Sequence, residues 1–301
     1  MSSSLLLVNQ DCFSDRMARK SHEIQSRLAS RSSVSSSGED WFDKVKLEGE
    51  CGTFERRGNV AVVKIVGALD YHYSFWSWLF DSSCYMGIMN AVTAAANDAS
   101  INKIVLYLDS CGGGFHGCEE CADVIFAARD SKEVVAVVDP EAASAGYWMA
   151  SQANRIVCLK SGWLGSIGSQ VGLTSYYRMF QEAGIDKELI RAAISPDKNL
   201  GAQFEPISDR ARAERQRWAD YAGEVFISHV ERGRGKTRKE ILDNYGKGQM
   251  YFAPEALTRG MIDSIGNLQS ELTQAPATGA VQSNRIPVRS ERLGGSFVDR
   301  L

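Results

Sequence analysis

Short apolar runs alternate with helical patterns along the middle of the chain, and this alternation predicts the fold. Val60–Val66 and Ile104–Leu108 are rich in branched apolar residues and have the length of buried strands. The other predicted strands are Val134–Val138, Arg155–Leu159 and Glu188–Ala192. The predicted helices are Met86–Asn97, Gly117–Arg129, Ser144–Gln152, Leu173–Glu182, Asp209–Glu231, Arg238–Tyr245 and Pro254–Arg259. Strands and helices that alternate at these lengths predict an α/β fold with a mainly parallel sheet.

Both ends of the chain lack this alternation. Residues 30–38 are rich in serine, and residues 273–295 are rich in Ala, Thr, Pro, Ser and Arg without periodicity. Such segments bury too little apolar surface to become ordered. We therefore predict a mobile lead-in with a serine-rich linker at residues 1–58, a compact domain at 59–268 and a flexible tail at 269–301. Within the lead-in, Asp15–Leu28 has the pattern of a charged helix.

The composition of the chain limits the kinds of partner that it can bind and the cellular compartment in which it is expected. The 301 residues are 44% hydrophobic and carry a net charge of −3, so the chain can bury a core and has no basic surplus for nucleic acid. Seven cysteines without a disulfide-framework spacing indicate a reducing compartment. The apolar run Leu5–Val8 is too short for a signal sequence or a membrane anchor. These features predict a soluble cytoplasmic protein.

A serine at a predicted strand-to-helix junction is the first candidate for chemistry. Ser144 lies among the small residues of Glu141–Gly146, between the strand Val134–Val138 and a helix. Its Oγ would be near the positive end of the helix dipole, and the following N–H groups would point at a carbonyl under attack. That geometry suits a nucleophile. The alternative, that Ser144 caps the helix, is the commoner role of serine at a helix start.

A glycine cluster directly after a predicted strand is the second candidate. Gly112–Gly114 follows Ile104–Leu108 and can expose backbone N–H groups to an anion, because glycine has no Cβ in the way. The cluster lacks the Gly-Lys-Ser/Thr ending of a phosphate loop. Two interpretations remain from the pattern alone, an oxyanion site and a simple turn.

A serine nucleophile needs a base, and histidine is poorly placed to supply it. The four histidines are His22, His72, His116 and His229, and none lies between Gly117 and Ser228. A lysine, with an ordinary pKa of about 10.4, can serve if burial lowers that pKa by roughly 3–5 units. The lysines after Ser144 are Lys160, Lys187, Lys198, Lys236, Lys239 and Lys247. The pattern does not choose among them.

Several short motifs, taken with their spacing, resemble the SppA/protein C family of serine peptidases. They are Asp109–Gly113, Ala142–Ala150, Leu164–Gly168 and Asp197-Lys198, with further matches at Ala183–Ile185 and Glu255–Asp263. The resemblance covers residues 59–268. It implies the ClpP/crotonase-like fold, which is built from stacked ββα units.

The resemblance also implies a role for five residues. Ser144 would be the nucleophile and Lys198 the general base, as a Ser–Lys dyad. Ser166 would hydrogen-bond the lysine amine and orient it. Gly113 and Ala145 would donate backbone N–H groups to the oxyanion. No metal and no organic cofactor is implied.

Two positions depart from the family pattern. Cys111 stands where the family usually has proline, and the segment Ile194–Asp197 stands where the family often places a glycine before its lysine. The first departure removes a fixed φ angle from the predicted oxyanion loop.

Within the family, the chain is more similar to phage head-maturation (capsid assembly) proteases than to membrane-anchored signal peptide peptidases. This similarity implies a homo-oligomeric endopeptidase that cleaves scaffold, portal or major capsid proteins, in the host cytoplasm or inside the prohead. The alternatives are a soluble signal-peptide-peptidase-like protease, a non-peptidase crotonase-like acyl-CoA enzyme and an inactive assembly protein.

Two remaining clusters have a structural and a functional interpretation. Cys118 and Cys121 have the spacing of metal ligands, but no second cysteine pair completes a zinc site, so burial in the core is favoured. The aromatic stretch Tyr71–Phe80 fits core packing and a substrate or subunit contact equally well.

Overall fold

A computed structural model describes residues 5–8, 53–74, 77 and 81–273 of the chain. The strands are β1 (Leu5–Val8), β2 (Glu55–Arg57), β3 (Val60–Leu69), β4 (Lys103–Gly114), β5 (Glu133–Ala143), β6 (Arg155–Cys158), β7 (Trp163–Gly165), β8 (Gln170–Val171), β9 (Met250–Phe252) and β10 (Ser264–Ile265). The helices are α1 (Tyr85–Asn97), α2 (Cys118–Ala128), α3 (Ala145–Ser151), α4 (Tyr177–Glu182), α5 (Asp209–Arg234), α6 (Arg238–Asn244), α7 (Ala253–Thr258) and α8 (Leu268–Thr273).

The centre of the sheet is parallel. β3 pairs with β4, β4 with β5, β5 with β6 and β6 with β10, each in parallel register. The helices α1, α2 and α3 make the crossovers between successive strands, as parallel neighbours require. The predicted α/β fold with a mainly parallel sheet is confirmed.

Three central strands each continue past an irregularity into a second segment. The register of β3 against β4 shifts between Val66 and Ala68, and that of β4 against β5 shifts between Leu108 and Ser110. Past Val138, β5 leaves β6 and pairs with β7 instead. Strand, second strand segment and helix therefore repeat along the chain, which is the stacked ββα arrangement that the resemblance implies. The repeat brings the ends of the second segments next to the starts of the helices.

One face of the sheet packs against the helices and forms the main core. Within it, α3 is completely buried, and Trp148 stacks on Phe226 of α5 with ring centroids 4.5 Å apart. The hydroxyl of Tyr147 donates to Met261 O at 2.9 Å. These contacts tie the short helix α3 to α5 and to the segment that carries Met261.

The opposite face of the sheet is covered by α8. Leu268 and Leu272 pack against a cluster of valines on β3, β4, β5 and β6. Lys103 is buried under this helix, and its Nζ donates to Glu271 O at 3.0 Å. Arg155 donates through Nη1 to the Glu271 carboxylate at 2.9 Å. Desolvation would raise the pKa of Glu271, but Arg155 and Lys103 outweigh it and lower that pKa.

The segment between β8 and α5 differs from its prediction. The predicted helix Leu173–Glu182 is confined to α4, and the predicted strand Glu188–Ala192 is wrong, because this segment has no strand neighbour in the described sheet. Ile190 is 92% exposed, so its apolar pattern does not reflect burial against a sheet. Arg191 instead binds Glu205 and the backbone of the following loop.

Ordered elements lie at both limits of the predicted compact domain. β2 precedes residue 59 and pairs with β3, while α8 continues past residue 268 and packs on the sheet. The predicted helix Asp15–Leu28 and residues 274–301 lie outside the described residues. The division into lead-in, domain and tail stays a prediction.

Candidate active site

Ser144 lies at the turn where β5 ends and α3 begins. It has φ +52° and ψ −117°, a backbone conformation that costs about 1–3 kcal/mol for a residue other than glycine. Its N–H donates to Gly165 O at 2.8 Å, and its carbonyl accepts the N–H of Trp148 at 2.9 Å. The backbone on both sides of the serine is thus fixed by hydrogen bonds to β7 and to α3.

The Ser144 side chain does not cap the helix. The residue is 2% exposed and occupies the N-cap position of α3, but its side chain makes no capping hydrogen bond. The capping interpretation of this serine is therefore wrong. A strained turn that places the hydroxyl at a helix N-terminus without a hydrogen bond to the helix is a geometry that suits a nucleophile.

The glycine cluster forms the end of β4 and lies beside the start of α3. A Cβ on Gly113 would lie 1.9 Å from Leu69 O, so β3 approaches too closely for any other residue. A Cβ on Gly146 would lie 3.1 Å from Ser110 O, which shows how closely the first turn of α3 packs on β4. The first N–H groups of a helix have no partner within it, so the Ala145 amide is a suitable anion donor.

Ser110 holds this loop in place, and the sequence analysis missed it. Its Oγ is buried, donates to Gly67 O at 2.7 Å and accepts the N–H of Gly112 at 3.2 Å. The hydroxyl therefore ties β3 to the glycines of β4. A serine two residues before a glycine cluster is the signal that could have identified it. Cys111, which replaces the usual proline, is fully buried in β4.

Ser166 lies on the loop that supports Ser144 from β7. It has φ +55°, and its N–H donates to Gln249 O at 2.8 Å. The preceding Gly165 accepts the Ser144 N–H, and a Cβ there would lie 2.3 Å from Gln249 O. Ser166 is therefore one residue away from the backbone atom that contacts the candidate nucleophile.

Lys198 lies elsewhere, on the exposed loop between α4 and α5. Its side chain is exposed, and among the described residues no hydrogen bond joins its Nζ to Ser144 or Ser166. The loop itself is ordered around Arg191, which donates to Lys198 O at 2.7 Å and to Asn199 O at 3.1 Å. The structure thus brings four of the five predicted site residues to one region and leaves the lysine in solvent.

Arg191 is a second residue that the sequence analysis missed. Its guanidinium donates to both carboxylate oxygens of Glu205, at 2.8 and 2.7 Å. These hydrogen bonds, with the charge of Arg191, lower the pKa of Glu205. Arg191 and Glu205 form a clasp that shapes the loop carrying Lys198.

The other candidate bases have structural roles or lie in solvent. His229 Nδ1 lies 2.9 Å from Val225 O and its Nε2 lies 3.3 Å from Asp123, so this histidine is a satisfied residue of α5. His116 is exposed beside Phe115. The lysines that follow Ser144 are all exposed, at positions 160, 187, 198, 236, 239 and 247.

Cys118 and Cys121 are fully buried core residues of α2, as the packing interpretation predicts. Burial raises the pKa of both thiols, which disfavours the thiolate that metal binding needs. No group of three or more potential metal ligands occurs among the described residues.

A cavity of about 440 Å³ lies between β3 and α1, lined in part by Lys64, Ser83 and Cys84. It includes none of the predicted site residues.

Within the described part of the chain, none of the helices combines the length and the hydropathy of a transmembrane span.

Comparison with known proteins relates this site to a family. The chain is 26% identical over 243 residues to capsid assembly protease C of Escherichia phage lambda, covering 81% of this chain and 53% of that protein. It is 30% identical over 214 residues to the head-tail preconnector protein GP5 of Enterobacteria phage P21, covering 71% and 42%. It is 27% identical over 179 residues to protease 4 of Salmonella typhi, covering 59% and 28%. The chain thus spans about half the length, or less, of these relatives.

The sequence profile of peptidase family S49 matches residues 127–282, which is more than half of the chain and includes Ser144, Ser166 and Lys198. The chain belongs to peptidase family S49.

Proposed function

We propose that the chain is a serine endopeptidase in which Ser144 attacks the peptide carbonyl. The observation that carries this proposal is the strained, buried turn that holds Ser144 at the start of α3 without a capping hydrogen bond. Serine and cysteine nucleophiles need a hydroxyl or thiol that is fixed in position and free to react. Membership of family S49 favours this reaction over the acyl-CoA alternative.

The N–H groups of Gly113 and Ala145 would bind the oxyanion that forms during the attack. Gly113 ends β4 and Ala145 begins α3, and Ser110 with Gly146 keeps these two elements in close contact. An oxyanion donor is worth roughly 2.7–4 kcal/mol in enzymes of this type.

Lys198 would be the general base and Ser166 the residue that orients it. In the first step, the proton of Ser144 Oγ passes to the lysine amine and then to the departing peptide amine. In the second step, the lysine amine takes a proton from water while the water oxygen attacks the acyl carbonyl. The ester bond then breaks, and the lysine returns the proton to the departing Ser144 Oγ. The motif that contains Lys198 and the position of Ser166 beside Gly165 support these roles.

A lysine base has to lose its contact with water before it can lose its proton at neutral pH. The loop that carries Lys198 presents large apolar side chains to solvent, with Ile190 92% and Ile194 96% exposed. Contiguous exposed apolar patches mark contact surfaces, and these two isoleucines lie four residues apart on one loop. We therefore expect that copies of the chain assemble as a homo-oligomer, in which this loop is covered and Lys198 is dehydrated.

The biological role that fits best is capsid assembly, with cleavage of scaffold, portal or major capsid proteins. The phage lambda relative is a capsid assembly protease, and the P21 relative is a head-tail preconnector protein. We place the activity in the host cytoplasm or the prohead interior. The alternative role is that of a soluble signal-peptide-peptidase-like protease.

Co-expression tests both the activity and the role. The wild-type chain, Ser144→Ala and Lys198→Ala are each produced together with candidate scaffold, portal and major capsid proteins, and the products are followed by gels and mass spectrometry. We expect defined cleavage products with the wild type and uncleaved proteins with both variants. Equal cleavage with Ser144→Ala would contradict the proposed nucleophile. Cleavage of signal peptides but of no capsid protein would favour the alternative role.

A further inference from the structure

The strand β1 comes from the start of the chain and lies beside the predicted oxyanion loop. It pairs antiparallel with β4, with Leu6 opposite Gly114, Leu7 opposite Gly113 and Val8 opposite Gly112. Its other edge pairs antiparallel with β8, where Leu5 lies opposite Val171 and Leu6 opposite Gln170. Residues 5–8 thus fill the space between the glycine loop and β8.

This space exists because β5 stops following β4. β5 is paired with β4 as far as Ser110 opposite Ala142, and it then continues along β7 to Ser144. Past that point β3 still occupies one edge of β4, at Leu69 opposite Gly113. The other edge of Gly112–Gly114 would be open without β1. An open strand edge pairs readily with an extended peptide.

The open edge is also where a substrate has to lie. Gly113, as an oxyanion donor, would have the scissile peptide next to it, and Ser144 follows directly on the strand that turns away from β4. A substrate that adds a strand to the edge of Gly112–Gly114 would meet β8 on its far side. It would therefore need the space that residues 5–8 occupy in this structure.

We infer that the segment Leu5–Val8 is an intramolecular competitor of the substrate, docked as a strand in the peptide-binding groove and displaced when a substrate enters. This inference rests on the proposed function, because it needs Gly113 and Ser144 to form the active site. The segment is a run of four apolar residues, and its backbone pairs with strands on both sides. A tethered competitor acts at an effective concentration on the order of millimolar, which is enough to hold weak substrates out.

Proline substitutions in the full chain test the docking. Successive N–H groups of a strand point to opposite edges, so one of Leu6 and Leu7 directs its N–H toward β4 and the other toward β8. Leu6→Pro and Leu7→Pro each remove one of these donors from a strand that has neighbours on both sides. Ser3→Pro, which precedes the strand, is the matched control.

Two measurements distinguish the docking of residues 5–8 from the reactivity of Ser144. Intact-mass spectrometry follows the labelling of Ser144 by a fluorophosphonate, and amide hydrogen exchange follows residues 112–114. We expect both Leu variants to be labelled about tenfold faster than the wild type and Ser3→Pro to behave like the wild type. Exchange at residues 112–114 should speed up in the Leu variants. A synthetic peptide of residues 4–9 should slow labelling of the Leu variants again.

The outcomes are distinguishable. Labelling of Ser144 at one rate in all four proteins, with unchanged exchange at residues 112–114, would overturn the inference and leave the proposed nucleophile intact. Absence of labelling at Ser144 in all four would contradict the proposed function and remove the basis of the inference. Circular dichroism of each variant checks that the fold is retained, and the peptide added to the wild-type chain gives a comparison that needs no substitution.

Discussion

The two halves of the proposed catalytic dyad lie in regions of opposite character. Ser144 is 2% exposed, has its backbone fixed on both sides and begins a helix that is entirely buried. Lys198 lies on an exposed loop whose neighbours Ile190 and Ile194 are almost fully in solvent. Ser144 is thus part of the buried core of one chain, whereas Lys198 is exposed to solvent.

This difference shows which part of the site the packing of one chain can provide. The turn at Ser144 costs about 1–3 kcal/mol, and the surrounding core sustains it because α3 packs tightly on β4 and α5. Dehydration of a lysine requires a surface that covers it, which the described residues of one chain do not supply. Ser144 is held in position within one chain, whereas Lys198 would become a base only when another copy of the chain covers it. Peptide hydrolysis would then be restricted to the oligomer.

The largest effect on peptide hydrolysis is expected for a substitution of Ser144. Ser144→Ala should lower peptide hydrolysis by about 10⁴- to 10⁶-fold, because the nucleophile is lost. The melting temperature should change little, since the Ser144 side chain makes no capping hydrogen bond. Hydrolysis of a fluorogenic peptide and thermal unfolding measure the two effects. Substantial residual hydrolysis would move the nucleophile to another residue.

Lys198, in the exposed half of the site, should also be necessary for hydrolysis but should not affect stability. Lys198→Ala should lower kcat by about 10³-fold or more, through loss of the base, and change the free energy of unfolding by less than about 0.5 kcal/mol. Lys187→Ala is the matched control, because Lys187 is on the same loop and contacts the rings of Phe180 and Phe204. If the Lys187 variant were the inactive one, the assignment of the base would be wrong.

Ser110 connects stability and hydrolysis on the serine side. Ser110→Ala removes a buried hydroxyl that bonds Gly67 and Gly112, so it should lower the free energy of unfolding by about 1–3 kcal/mol. It should also lower kcat by about 10- to 100-fold, because the loop of Gly113 loosens. Ser151→Ala is a control of equal burial, whose hydroxyl donates to Trp148 O at 2.7 Å. An equal loss of kcat in both variants would show that Ser110 acts through stability alone.

The smallest effect on kcat is expected at the clasp of Arg191 and Glu205, which shapes the loop that carries Lys198. Arg191→Ala should lower kcat several-fold, and Arg191→Lys should not restore it, because a lysine cannot make the paired hydrogen bonds to Glu205. The pKa of Glu205 is lowered in the fold, so the clasp contributes fully above about pH 4.3 and is lost as the pH falls through the lower folded value. Thermal unfolding measured from pH 7 to pH 3 should show a larger loss of stability in the wild type than in Arg191→Ala, because the variant keeps only the contribution of the other carboxyl groups with lowered pKa values, such as Glu271. Identical profiles would exclude a role for the clasp.

The sequence predicted the core of the fold well because the core repeats a simple pattern. Val60–Val66 and Ile104–Leu108 lie within β3 and β4, and the helix predicted at Met86–Asn97 is α1 within one residue. The strand predicted at Glu188–Ala192 is wrong because alternation marks a strand only where a sheet edge is available. No local pattern reveals whether such an edge exists.

The candidate site was predictable where local backbone geometry dictates it. Small residues around Ser144 and the glycines of β4 point to a tight turn and a close strand approach, and both are present. Ser110 and Arg191 were missed because their partners, Gly67 and Glu205, are defined by tertiary contacts. The pairing of β1 with the glycine loop could not be predicted for the same reason, since a short apolar run does not indicate which strand it will pair with.

The pH dependence of Ser144 phosphonylation by a fluorophosphonate tests the central claim most directly. The rate at which a fluorophosphonate labels Ser144 is measured by intact mass from pH 5 to pH 10, for the wild type and for Lys198→Ala. The account predicts that Lys198→Ala is labelled much more slowly than the wild type across this range, because the serine has lost the amine that takes its proton. Identical profiles for the two proteins would contradict the pairing of a prepared serine with this lysine.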